Sequence, residues 1–207
     1  FTFSEAVTGF DANDITVAEG TKGTFTETSA TVYTLAVTPD ADSTANITVD
    51  VAANAAQDAV TNLSVVATQA VQAVDTVAPT ATVAFTSSAL KKGETTVLTA
   101  TFSEIPTGFV EADDLVVQNG TLSGGSFDGT GKIYTATFTP TDDLEDATNV
   151  ATLGTTWTDA AGNAPVASTV SANYVVETKL PTVVSVSYAD AALKAGETTL
   201  VTIVFSE

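Results

Sequence analysis

The 207-residue sequence has no cysteine, no histidine and no methionine, and its six basic residues are all lysines. Without histidine or cysteine there is no imidazole base, no thiol nucleophile, no disulfide and no thiolate zinc site. The formal net charge is −19, which argues against binding to nucleic acid or to an anionic membrane because both need a basic surface. No apolar run approaches the ~20 residues of a membrane-spanning helix, so we expect no direct membrane insertion.

What the sequence does contain is a repeat with a period of about 100 residues. Phe3-Ser4-Glu5 recurs as Phe102-Ser103-Glu104 and again as Phe205-Ser206-Glu207. Further matches follow in the same order: Thr8-Gly9-Phe10 with Thr107-Gly108-Phe109, Tyr33 with Tyr134, Thr38-Pro39 with Thr139-Pro140, Asp58 and Asn62 with Asp159 and Asn163, and Leu90-Lys91 with Leu193-Lys194. The repeat predicts a partial module at 1–76, a complete module at 77–178, and the opening of a third module at 179–207.

Within a module, apolar and polar residues alternate over short stretches, as in half-buried strands. Leu98, Ala100 and Phe102 share one face, and Tyr134, Ala136 and Phe138 share another. About seven such strands in ~100 residues predict an all-β fold of tandem antiparallel sandwiches of immunoglobulin (Ig) type. We place strands A to G of the complete module at 80–86, 94–103, 114–119, 121–127, 132–139, 148–158 and 166–176. The partial module would then lack strand A and most of strand B, which residues 179–207 contain.

Acidic residues concentrate in the segments that this topology brings to the ends of a module. The linker before strand A meets the B–C and F–G loops at one end, and the E–F loop lies at the other. At the first junction these acids are Asp75, Glu104, Asp113, Asp114 and Asp159, with Asp40 and Asp42 from the preceding E–F loop. The corresponding acids of the partial module are Glu5, Asp14 and Asp58, and those of the second junction are Asp142, Asp143, Glu177 and Glu207, with Glu145 and Asp146 nearby.

Gathered carboxylates repel one another unless they spread into water or hold a cation. Several oxygen ligands without histidine or cysteine select Ca²⁺ over zinc or copper. The ordinary alternative is that acids occupy loops because loops are solvated and that the charge maintains solubility. We favour Ca²⁺ for the set formed by the linker acid, the glutamate of Phe-Ser-Glu, Asp114 and Asp159.

These motifs together resemble the bacterial Ig-like tandem repeats of large calcium-binding surface adhesins and biofilm-associated proteins. The residues that carry the resemblance are the Phe-Ser-Glu and Thr-Gly-Phe motifs, Asp159-Ala160-Ala161-Gly162-Asn163, and Val74-Asp75-Thr76-Val77-Ala78-Pro79. The resemblance implies an extracellular stalk on the bacterial cell surface, with Ca²⁺ held at junctions by residues equivalent to Asp75, Glu104, Asp114 and Asp159.

Two departures from the family pattern carry expectations of their own. Val60-Thr61 replaces Ala-Gly in the first F–G loop, which puts the geometry of that loop in doubt. At the second linker, Glu177-Thr178-Lys179 replaces Asp-Thr-Val. Because glutamate is a longer ligand and Lys179 adds a competing cation, we expect weaker calcium binding there, for which Asp142 and Asp143 could compensate.

The leading hypothesis for function is therefore a structural spacer whose partners are the adjacent Ig-like modules of the same chain, stiffened by Ca²⁺. One alternative is a module that binds a glycan or protein of a host surface or matrix through residues 121–131. Another is a subunit of an extracellular filament in which one chain donates strands A and B to the next. Trp157 could stack on a sugar, although its place near the end of strand F favours a core role. We expect no enzymatic activity, because the acid pairs imply no cleft.

Overall fold

Short antiparallel strands make up almost all of the regular structure in the computed structural model, which describes residues 1–207. The chain divides into two compact units. Unit 1 contains Phe1–Pro79 together with Asp159–Ala164, and unit 2 contains Thr80–Thr158 together with Pro165–Glu207. The all-β prediction is confirmed, and no helix is long and apolar enough to cross a membrane.

Unit 1 has five strands and one 3-10 turn at Ala12–Asp14. The strands are β1 Ile15–Ala18, β2 Gly20–Ser29, β3 Val32–Pro39, β4 Ile47–Val51 and β5 Ala70–Gln72. They form a three-stranded sheet in the order β1-β4-β5 and a separate hairpin of β2 with β3. An aromatic cluster fills much of the core, with the ring of Phe10 between 5.1 and 5.7 Å from the rings of Phe1, Phe3, Phe25 and Tyr33.

Unit 2 contains a complete sandwich followed by a hairpin. The sandwich elements are β6 Ala81–Phe85, β7 Ala89–Lys91, β8 Thr96–Phe102, α1 Glu111–Asp114, β9 Leu115–Val117, β10 Gly120–Phe127, β11 Ile133–Pro140, β12 Glu145–Asn149, β13 Ala151–Leu153, β14 Thr169–Val170 and β15 Tyr174–Glu177. The final hairpin consists of β16 Val183–Tyr188 and β17 Val201–Phe205. One layer of the sandwich is the sheet β10-β11-β8-β6, and the other is made of the short sheets β12-β15-β7 and β14-β13-β9.

The core of unit 2 follows the predicted alternation. In β8, Leu98, Ala100 and Phe102 are buried while Val97 and Thr101 are exposed. Tyr134 and Ala136 of β11 pack into the same cluster, which also contains Leu153 and Trp157. The two layers therefore meet through residues spaced two apart, as expected for a sandwich.

Three strand predictions for unit 2 need correction. Strand C, predicted at 114–119, begins only after the helical turn α1, so Asp113 and Asp114 both lie in that turn. Strand F, predicted at 148–158, is split into β12 and β13 at Val150. The preceding residue, Asn149, is buried; its Oδ1 accepts from Asn119 Nδ2, and its Nδ2 donates to the main-chain oxygens of Asp146 and Tyr174. Strand G, predicted at 166–176, is likewise split into β14 and β15.

Candidate metal centres

The F–G loop Asp159–Ala164, which belongs to unit 1, is closed by the side chain of Asp159. Its Oδ1 accepts hydrogen bonds from the main-chain nitrogens of Gly162 (2.7 Å) and Asn163 (2.8 Å), and its Oδ2 accepts one from Asn163 Nδ2 (2.8 Å). Asp159 is only 1% exposed. Burial raises the pKa of Asp159, but the donors from Asn163, Gly162 and Ala161 outweigh burial and hold this pKa below its ordinary value. The carboxylate is therefore charged at neutral pH.

Asp75 lies beside this loop in unit 1. Its main-chain oxygen accepts a hydrogen bond from Asn163 Nδ2 (3.1 Å), and its carboxylate lies within 4.8 Å of that of Asp159. The carboxylate Oδ1 of Asp75 also accepts a hydrogen bond from Val77 N at 3.1 Å. Asp75 and Asp159 are thus two of the four acids, with Glu104 and Asp114, that we predict for the first junction. Glu104, which belongs to unit 2, is half-buried.

The equivalent loop of the partial module is closed in a similar way by Asp58. Asp58 accepts from the main-chain nitrogens of Val60 and Asn62 and from Asn62 Nδ2 (2.7 Å). These donors, led by Asn62, lower the pKa of Asp58. Thr61 adopts a left-handed φ of 71° where the other loop has Gly162 at 96°. The change from Ala-Gly to Val-Thr therefore preserves the loop, although it places a β-branched residue in a strained conformation.

The second acidic group lies wholly in unit 2 and comprises Glu145, Glu177 and Glu207. Their carboxylate oxygens lie within 4.8 Å of one another. Glu145 and Glu177 are register partners in the pairing of β12 with β15, and Glu207 follows β17. Oε1 of Glu177 is buried and has no hydrogen-bond partner. A buried carboxylate oxygen without a donor is costly, and a bound cation would satisfy it.

No lysine forms an ion pair with this second group. Lys91, Lys92 and Lys179 line the same open groove of about 400 Å³ as Glu177 and Glu207. The one ion pair within 4.0 Å in the chain, however, joins Lys91 to its neighbour Glu94 at 3.5 Å. Lys179 is therefore near the group without pairing with it. The donor set of three carboxylates fits a hard divalent cation such as Ca²⁺.

The remaining predicted ligands are not gathered into groups of three acids, so their role in binding metal stays a prediction. Glu5, Asp40, Asp113 and Asp142 are exposed. Asp42 and Asp143 occupy equivalent E–F turns at left-handed φ values of 51° and 57°, a conformation that aspartate tolerates. Asp14 caps the 3-10 turn by accepting from Asp11 N at 2.8 Å, and Asp114 accepts hydrogen bonds from Val110 N and Thr156 Oγ1.

Sequence reasoning missed the clamp made by the linker threonines. Thr178 Oγ1 donates to the Thr141 oxygen (2.7 Å) and accepts from Leu144 N (2.9 Å), and Thr178 is fully buried. Thr76 bonds the equivalent turn of unit 1 in the same way, through Asp40 O and Ser43 N. The sequence did contain a signal for this clamp, because an acid followed by threonine recurs in both linkers, as Asp75-Thr76 and Glu177-Thr178. The clamp fixes the position of each linker acid, Asp75 or Glu177, beside an E–F loop.

Trp157 is 1% exposed, which confirms its core role. Residues 121–131, the proposed recognition loop, mostly belong to β10, and only the turn at 128–132 separates β10 from β11. Asp128 and Thr130 hydrogen-bond within that turn.

The model of the bacterial Ig-like domain family matches residues 1–74 and again residues 75–176. The chain belongs to the bacterial Ig-like domain family. No curated protein and no solved structure matches the chain. Domains of this kind are typically structural, non-enzymatic parts of extracellular or cell-surface proteins. The two matches confirm the tandem Ig-like repeat, while the boundaries predicted at 76 and 178 stay a prediction.

The hydrogen bonds of the F–G loop of the Ig-like fold predict an acid dependence. Because the folded pKa of Asp159 is lowered, its contribution to stability is complete above the ordinary value of 3.8 and is lost as the pH falls through the lowered value. In Asn163→Ala two donors to this region are removed, so we expect the pKa of Asp159 to rise and acid unfolding to begin at higher pH.

Carboxyl-carbon NMR titration of Asp159 measures this change directly. Asn13→Ala is the matched control, because only the main chain of Asn13 hydrogen-bonds Asp11. An unchanged pKa of Asp159 in Asn163→Ala would show that Asn163 does not set the charge of this loop.

Proposed function

We propose that this chain is a spacer segment in the stalk of a bacterial surface adhesin or biofilm-matrix protein, and that Ca²⁺ bound by acidic groups at the ends of its Ig-like domains stiffens it. The observation that carries the proposal is the group Glu145, Glu177 and Glu207, which includes a buried, unpartnered carboxylate oxygen. The family assignment supports a surface location, and the acidic group supports the ion.

The chemistry of the donors favours Ca²⁺ over other divalent metals. All candidate ligands are oxygens, because the chain has no histidine and no cysteine. Mg²⁺ rarely occupies all-protein sites because it gives up water reluctantly, whereas Ca²⁺ accepts six to eight oxygens in flexible geometry. Main-chain carbonyls and water would complete the coordination around the three carboxylates. The ion supplies positive charge that offsets the repulsion among them.

The repeat extends the assignment to the other end of the complete domain. The linker acid Glu177 is equivalent to Asp75, and Glu207 of the third Phe-Ser-Glu motif is equivalent to Glu104. Asp75 already has the carboxylate of Asp159 within 4.8 Å. We therefore assign Asp75 and Asp159 of unit 1 to a calcium site of the same kind. If each repeat of about 100 residues had one such site, a long array of repeats would contain calcium sites at regular intervals.

Stiffening follows from the position of these acids in linkers and domain ends. Without metal, like charges repel and the linkers flex; with metal, one ion contacts acids from separate segments and restricts bending. Extracellular modules bind Ca²⁺ at about 10⁻⁴–10⁻³ M, so external calcium fills such sites and cytosolic calcium does not. The domains would then stiffen only outside the cell.

Small-angle scattering and calorimetry test the proposal. We expect millimolar CaCl₂ to release heat on binding and to lengthen and stiffen the chain relative to a sample in EGTA. In the double variant Glu145→Gln with Glu177→Gln, binding at the second site should weaken by at least about tenfold, since two of its three charges are removed. Glu27→Gln, an exposed change outside both acidic groups, is the matched control.

Two results would contradict the proposal. The first is a scattering curve that is identical in CaCl₂ and in EGTA. The second is calcium affinity that is the same in the double variant and in Glu27→Gln, which would place any bound ion elsewhere.

A further inference from the structure

The side chain of Thr178 closes the turn that precedes β12. Thr178 is fully buried, and its main-chain nitrogen donates to the oxygen of Leu144 at 2.8 Å. In return, Leu144 N donates to Thr178 Oγ1 at 2.9 Å, and that hydroxyl donates to the oxygen of Thr141 at 2.7 Å. These three hydrogen bonds form the Thr178 clamp, which ties the linker to both ends of the turn 141–144.

A threonine suits this position because one hydroxyl oxygen acts as donor and acceptor at once. The branch at Cβ also restricts the rotamer of the side chain, which keeps the hydroxyl directed at the turn. Valine has nearly the same shape without the hydroxyl, so Thr178→Val would leave Leu144 N and the Thr141 oxygen without this partner. Serine would retain it.

The clamp lies one residue away from two of the three acids of the second group. Glu145 follows Leu144, and Glu177 precedes Thr178. The two glutamates are register partners in the antiparallel pairing of β12 with β15. Like charges directly opposite each other on neighbouring strands are destabilising. Without an ion, repulsion between the two carboxylates therefore favours separation of the strands at this end.

The β12–β15 pairing alone gives this end little support. Its register pairs are Glu145 with Glu177 and Asp146 with Val176, and the regular pairing breaks before Asn149. β12 is also the edge strand of the sheet β12-β15-β7, so its main chain has a neighbouring strand on one side only. The Thr178 clamp closes the pairing just beyond the two glutamates, and it therefore opposes their separation.

Unit 1 has an equivalent clamp without the pair of acids. Thr76 N donates to the oxygen of Ser43 at 2.9 Å, Ser43 N donates to Thr76 Oγ1 at 2.9 Å, and that hydroxyl donates to the Asp40 oxygen at 2.8 Å. Since Ser43 takes the place of Leu144, the residue in the place of Glu145 is Thr44. The clamp thus forms where no two glutamates face each other, so its geometry does not depend on a bridging ion.

We propose that Thr178 is a positioning residue for calcium, which holds the main chains of Glu145 and Glu177 together and so sets the affinity of the second site. The inference rests on the proposed function, because it concerns the same acidic group. A site assembled before the ion arrives loses less conformational freedom on binding, and this pre-organisation raises affinity. Thr178 acts through the two glutamates and is not itself a ligand.

Calorimetric titration of the full chain with CaCl₂ measures this effect at the site that the double variant Glu145→Gln with Glu177→Gln weakens. We expect Thr178→Val to weaken that site by at least about tenfold, because the glutamates are no longer held opposite each other. Thr178→Ser retains the hydroxyl, so its affinity should stay within about threefold of the parent chain. Thr96→Val is the matched control: Thr96 is 6% exposed, and its Oγ1 accepts from Ser87 N at 2.9 Å in a bond that involves neither glutamate.

Amide hydrogen exchange in EGTA measures the clamp itself with no calcium present. We expect the amide of Leu144 to exchange at least about tenfold faster in Thr178→Val than in the parent chain, because its acceptor is removed. In Thr178→Ser and in Thr96→Val this amide should exchange at close to the parent rate.

Four results would overturn the inference. With a parent chain that binds calcium, equal affinity in Thr178→Val and Thr96→Val refutes the positioning role and leaves the proposed function standing. Affinity in Thr178→Ser as low as in Thr178→Val shows that the hydroxyl does not set it. Unchanged exchange of the Leu144 amide in Thr178→Val shows that the hydroxyl does not hold the turn. A parent chain that binds no calcium overturns the proposed function, and this inference with it.

Discussion

Trp157→Ala should lower the free energy of unfolding of unit 2 by about 3–5 kcal/mol, the usual cost of truncating a buried tryptophan. Trp157 packs with Leu98, Leu115 and Leu153, and its ring meets that of Phe102 edge-on at a centroid distance of 4.8 Å. Its Nε1 also donates to the oxygen of Gly154 at 3.0 Å. The substitution removes the packing and the hydrogen bond together and leaves a cavity between the two sheets of the sandwich.

Urea unfolding followed by circular dichroism measures this loss, and unit 1 provides an internal reference because it contains no tryptophan. Val166→Ala is the matched control: Val166 is 91% exposed, so its truncation should change stability by no more than about 0.5 kcal/mol. A fully stable Trp157→Ala variant would mean that the ring is not part of the core, and it would reopen the possibility of a sugar-stacking surface.

The repeat and the alternation of apolar and polar side chains predicted most of the sandwich, because neither pattern depends on the conformation of the loops. The buried set of β8 and β11 is the one expected from period two, and the acid of the linker does lie beside that of the F–G loop in the pair Asp75 and Asp159. The single helical turn α1 was missed because four residues are too short to show a helical period.

Which acids form the second group depends on the register in which β12 pairs with β15, and a single sequence does not determine that register. Asp142 and Asp143 are nearer the start of the E–F turn, whereas Glu145 is the residue that β12 places opposite Glu177. The pairing of β12 with β15 contains an irregularity between Asp146 and Asn149, and such a bulge reassigns the face of each residue along the strand. No alternation in the sequence marks that position in advance, so the sequence places Asp142, Asp143, Glu145 and Asp146 together opposite Glu177 and Glu207 without indicating which of the four pairs with Glu177.

Aspartates repeated between modules have two physical explanations, and Asp114 shows why the sequence cannot separate them. Its equivalent Asp14 accepts a hydrogen bond from Asp11 N at 2.8 Å, and Asp114 accepts one from Val110 N at the same distance. Both residues thus cap a short helical turn before strand C. An aspartate that caps a turn in every module and an aspartate that binds metal in every module both appear in the sequence as an aspartate repeated at the same position.

Asp114→Ala should cost about 2–3 kcal/mol, because the Val110 N–H and the Thr156 hydroxyl would lose their shared acceptor in a site where Asp114 is 2% exposed. Asp114→Asn retains one acceptor oxygen, so we expect a smaller loss in urea unfolding. If Asp114 only caps the turn, the calcium affinity of Asp114→Asn should match that of the parent chain within about twofold, since a cap contributes no ligand. Calcium binding that weakens in Asp114→Asn as much as in Glu177→Gln would instead assign Asp114 to the metal, with capping as its secondary role.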